Sequence, residues 1–102
     1  MDLAVKFHRI ADRLDKRRLY RYAEQLRAAG LSISNNMAEG SGSTHNQEFI
    51  QFLNITRRSL FEDASMLLAF ERLGLLENTE VDELLWDCDA ESRKITSFSS
   101  AL

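Results

Sequence analysis

No proline interrupts the chain, glycine occurs only four times, and cysteine once. Turn-rich β folds draw heavily on glycine and proline, so their scarcity points to helices. A lone cysteine, Cys88, excludes an internal disulfide, and a reducing, cytoplasmic setting is the expectation that goes with it. Long apolar runs are missing as well, so no segment is expected to span a bilayer. The opening residues, MDLAVKFHRIADR, carry charges every few positions, where a secretory signal would need an apolar core. What is present is 102 residues, enough for one small domain, with 44% hydrophobic residues and a net charge of −3.

That charge is unevenly spread. Residues 1–30 hold eight Lys/Arg and four Asp/Glu, whereas residues 77–102 hold two and seven. A basic front and an acidic tail suit a polarised surface or a polarised contact between subunits.

Apolar spacing predicts four helices, at about 2–14, 17–39, 45–73 and 79–98. In the first, Leu3, Phe7, Ile10 and Leu14 share a face, with Lys6, Arg9 and Arg13 opposite. The second buries Leu19, Leu26, Ile33 and Met37; Gly30 inside that stripe suggests close helix–helix approach. It also carries a polar stripe, Gln25, Ser32, Asn36 and Glu39, within an arc of roughly 60°.

The third helix has a stripe of Phe49, Leu53, Thr56, Leu60, Ala64 and Leu67, widened by Ile50, Phe61 and Leu68 on one side and by Phe52, Ile55, Met66 and Phe70 on the other. The apolar arc is roughly 240° wide, more than its sister helices can cover, so a second subunit is expected. Phe52, Ile55, Met66 and Phe70 are the candidates for that contact. Gly74 fits a helix-ending position, and Asn78 or Thr79 caps the fourth helix. Short joints between helices predict an all-α fold, an antiparallel up-down four-helix bundle in a single domain.

Chemistry-bearing motifs are scarce. The joint GSGST, Gly40–Thr44, has hydroxyls and glycines but no following lysine and no flanking strand, so it reads as a helix joint and not a phosphate loop; Thr44 and Gln47 form a capping box. Two histidines, His8 and His45, lie outside any metal-ligand spacing, and no metal or cofactor is expected. Cys88, between Asp87 and Asp89, reads as a small core residue. Glu39 is a conceivable acid or base, but a structural hydrogen bond suits it better. No enzymatic activity and no small-molecule substrate is expected. The basic residues leave two readings open. Lys6, Arg9, Arg13, Lys16, Arg17 and Arg21 could meet the phosphates of RNA or DNA. Alternatively they form a solvated face or pair with the acidic fourth helix.

The run from Leu31 to Leu76 resembles the bacterial four helix bundle protein family, some of whose members are encoded in intervening sequences of large-subunit ribosomal RNA genes. The resemblance is carried by Ser32, Ile33, Asn36, Met37, Ala38, Glu39 and Gly40, then by Glu48, Phe49, Phe52, Leu53 and Ile55, then by Ser59, Leu60 and Glu62. The run Gln25–Ala29 is similar to the family's segment upstream. Where many members carry an arginine after the second glycine of the joint, this chain has Ser43. The resemblance implies an up-down bundle that assembles into a ring, typically a pentamer. A related branch, the accessory variability determinant of diversity-generating retroelements, binds nucleic acid. The expected function is a non-enzymatic homo-oligomeric adaptor or scaffold, with a nucleic-acid-binding accessory role as the alternative.

Overall fold

The computed structural model describes residues 3–41 and 46–101, with the side chains of residues 34, 36–41, 46 and 98–101 excepted. Among the described residues the chain is all helix: α1 Leu3–Lys16, α2 Tyr20–Ser41, α3 Asn46–Arg72 and α4 Asn78–Ala101. α1 packs on α2, α2 on α3 and α3 on α4, while α4 meets α1 more sparsely. The resulting rod measures 45 × 21 × 20 Å, the length expected of a helix of 27 residues rising about 1.5 Å per residue.

The joints explain where the helix limits depart from the expected ones. α1 ends two residues later, at Lys16, and α2 begins at Tyr20, because the chain turns through Arg18 in the left-handed region, at φ 62°. The Arg18 N–H donates to the Asp15 carbonyl at 2.9 Å, and the Leu19 N–H donates to the Leu14 carbonyl at 2.9 Å. The same pair of bonds closes α3. There Gly74, at φ 76°, donates to Glu71 and Leu75 donates to Phe70, both at 2.9 Å. These are two Schellman turns, each satisfying carbonyls that a helix end would otherwise leave unbonded. At the other end, Gly40 and Ser41 continue α2 as helix, so the expected joint begins later than GSGST suggested. Gly42, Ser43, Thr44 and His45, with the proposed Thr44–Gln47 capping box, lie outside the described residues.

One core runs the length of the rod. Phe7, Leu14, Leu26, Leu53, Leu60, Leu67, Leu84 and Ile95 are each at most 2% exposed; burial of such side chains contributes about 1.5–3 kcal/mol apiece. Gly30 has the expected role. A Cβ there would lie 3.3 Å from both the Cα and the carbonyl oxygen of Ala4, so its absence lets α1 and α2 meet backbone to backbone. Among the described residues, two polar side chains are buried in the core, both from α3. Thr56 is satisfied by donating its hydroxyl to the Phe52 carbonyl at 2.9 Å. Asp63 is not so well served: its Oδ2 is buried and has no hydrogen-bond partner.

Candidate functional site

The basic residues of α1 and the first turn of α2 divide into two groups. Those facing α4 are held by its carboxylates. Lys6 Nζ lies 3.0 Å from Glu83 Oε1 and also bonds Asp87, and Arg13 pairs with Glu80. Asp87 first, then Glu83, raises the Lys6 pKa, keeping the ammonium charged. Arg27 of α2 is held likewise by Asp15 and Asp12, each at 2.6 Å. Neutralised in this way, Lys6 and Arg13 have little charge to offer a phosphate backbone. Of the six residues named as nucleic-acid candidates, these two are instead the ties between α1 and α4.

The second group is free of carboxylates. Arg9, Lys16, Arg17 and Arg21 join no ion pair among the described residues and are exposed, as is Arg18. Arg17 donates to the Leu75 carbonyl at 3.0 Å, which brings the two Schellman turns to the same end of the rod. A carbonyl leaves the guanidinium charge uncompensated. Between the helices at this end opens a groove of about 710 Å³, with Arg13, Arg17, Leu75, Leu76 and Glu80 among its walls. It continues along the seam as a smaller hollow past Lys6 and Leu84.

A different surface lies on the outside of α3 and α4. Phe61 is 64% exposed, Leu68 45% and Trp86 71%. Phe61 and Leu68 are seven residues apart, so they share a line along α3. Phe61 borders a shallow hollow with Ala64, Leu85 and Cys88, at the junction with α4. The flank chosen from sequence differs. Phe70 is only 3% exposed and packs edge-on against Tyr22 at 5.3 Å. Its apolar surface is therefore used within the chain and is not available to a second subunit. Phe52 and Met66 are half-buried, and only Ile55 of that set is exposed. Part of the wide arc of α3 is thus covered by the chain's own α2, while Ile55 on one flank and Phe61 and Leu68 on the other are left exposed.

Two further groups define the chemistry available. Cys88 is buried, and burial first, then Asp63, Asp87 and Glu91, pushes its thiol up to about 12; a thiol so held is a poor nucleophile. Burial, with the Glu62 charge second, pushes the Asp63 carboxyl up to about 6. Sequence reading missed Asp63. Its signal was positional: it stands three residues after Leu60 and four before Leu67, inside the core stripe. In the polar stripe of α2, Gln25 and Ser32 are exposed. The side chains of Asn36 and Glu39 lie outside the described residues. Among the described residues, no group of three or more His, Cys, Asp or Glu is placed to hold a metal ion. Among the described residues, no helix is long and apolar enough to cross a membrane.

Residues 1–97 match the family of 23S rRNA-intervening sequence proteins, and the chain belongs to that family. No curated protein and no solved structure matches it.

Proposed function

We propose that the chain is a non-enzymatic helical bundle that assembles with copies of itself and serves as an adaptor or scaffold. The observation carrying this reading is the exposure of Phe61, Leu68 and Trp86 on the outside of α3 and α4. Large aromatic and aliphatic side chains left exposed are what a subunit contact would cover. The four helices are read as an antiparallel up-down bundle. In support, Lys6 reaches Asp87 while Arg13, further along α1, reaches the earlier Glu80. A ring-shaped assembly, a pentamer by the family resemblance, is the state proposed. Light scattering at micromolar concentration tests it. The expected mass is about five times the 11.7 kDa of one chain; a stable monomer overturns the reading.

A second reading, that the chain binds RNA or DNA, is favoured by the exposed cations that no carboxylate compensates: Arg9, Lys16, Arg17, Arg18 and Arg21. Binding of an RNA oligonucleotide that strengthens steeply as salt falls is the expected result.

A further inference from the structure

We infer that the turn between α1 and α2 is a docking surface for single-stranded nucleic acid, formed by Lys16, Arg17, Arg18, Tyr20 and Arg21. This rests on the second reading above and narrows it to one place and one kind of strand. The residues are nearly contiguous, all are exposed, and only the half-buried Leu19 interrupts them. The carboxylate nearest before the run, Asp15, is occupied by Arg27. The nearest after it, Glu24, lies one helical turn beyond Tyr20. Four positive charges therefore crowd a single turn; Glu77 and Glu80 share the groove with Arg17, but none of the four cations joins an ion pair among the described residues.

Two features set this turn apart from an ordinary solvated basic face. The first is Arg18. The molecule makes the same Schellman turn twice at one end, and at the equivalent left-handed position one copy has Gly74 and the other Arg18. Glycine adopts that conformation without a steric cost, whereas arginine bears one. Backbone geometry does not ask for arginine there. Its side chain, held out at the apex of the turn, supplies a charge that glycine would remove. The second is Tyr20, 58% exposed among the cations. An exposed aromatic ring beside guanidinium groups is the arrangement that stacks an unpaired base while the cations meet the flanking phosphates. A duplex buries its base faces and could use only the cations, so the aromatic ring selects for single strands.

The test is fluorescence anisotropy with a 20-nucleotide single-stranded RNA and the matching duplex, each titrated with the full-length protein over a range of salt. The single strand is expected to bind more tightly than the duplex. Tyr20→Ala should weaken single-strand binding by roughly tenfold and leave duplex binding unmoved. Arg18→Gly should lower the slope of log K against log salt by about 0.7. That variant should fold at least as stably as the parent, since glycine suits the turn, so a loss of binding cannot be ascribed to unfolding. Arg13→Ala, which removes a tie to α4, should leave binding unchanged. If the parent binds neither RNA, both this inference and the nucleic-acid reading fall. If both RNAs bind equally and Tyr20→Ala has no effect, nucleic-acid binding stands and the single-strand surface is overturned. If binding survives Arg18→Gly and Tyr20→Ala but is lost in Arg9→Ala, the site lies elsewhere on α1, and the inference is likewise overturned.

Discussion

The two flanks of α4 differ in what they leave unsatisfied. Toward α1, its carboxylates Glu80, Glu83 and Asp87 meet Arg13 and Lys6 across a groove, and the charges on both sides are compensated within one chain. Toward α3, the packing covers Leu60 and Cys88 but leaves Phe61 and Leu68 facing water. The first flank is polar and complete; the second is apolar and incomplete. The difference lies in what each flank leaves exposed to water. Along the seam Lys6 and Arg13 are compensated internally, with Arg9 beside them left unpaired among the described residues, while Phe61 and Leu68 on α3 stay uncovered. The proposed scaffold role draws on that contrast, and the proposed nucleic-acid role draws on the cations left unpaired, most of them at the α1–α2 turn.

The largest expected effect comes from the residue that anchors α4 beneath both flanks. Leu84 is 2% exposed, and Leu84→Ala should cost about 2–5 kcal/mol, from lost burial plus the cavity left behind. Urea unfolding measures it, and the loss should be the same at low and high salt. A loss that varied strongly with salt would mean that the ion pairs, and not the core, hold α4 in place.

Asp63 sharpens the comparison from inside, as an acid placed where apolar packing rules and no cation is at hand. Its carboxyl lies near 6 in the folded chain against an ordinary value of 3.8. Between those values the folded chain keeps a proton that the unfolded chain has released, so stability should fall as pH rises from about 4 to about 6. Asp63→Asn should raise stability at pH 7 by about 1–3 kcal/mol and flatten that slope. Thermal unfolding across the pH range reads both. A parent whose stability rose through this range, once the other carboxylates were accounted for by the variant, would contradict the burial argument.

The smallest effect belongs to the seam. Replacing Glu83 with Gln and Asp87 with Asn frees Lys6, and the thermal midpoint should fall slightly at low salt and converge with the parent at high salt. A large drop at every salt concentration would show the seam to be structurally dominant, against the sparse packing of α1 on α4.

Much of this was legible in the sequence, for physical reasons. Helical periodicity exposed all four helices, and Gly30 betrayed the close contact with α1 because a glycine inside a helix is otherwise costly. Gly74 marked the end of α3 for the same kind of reason. The start of α2 was less visible, since an arginine in a left-handed turn carries no compositional mark. That Phe70 is covered within the chain was not legible, because periodicity gives the width of an apolar arc but not which part a neighbouring helix covers; Tyr22 packs on Phe70. The partition of the cations was open for a similar reason: whether Lys6 is free depends on where α4 lies, which no local pattern records.

The most direct test of the central claim is the mass in solution of the parent and of a variant carrying both Phe61→Ser and Leu68→Ser, by sedimentation velocity. The parent should sediment as a homo-oligomer and the variant as an 11.7 kDa monomer with unchanged helical circular dichroism. An unchanged oligomer in the variant, or a monomeric parent, would contradict the account.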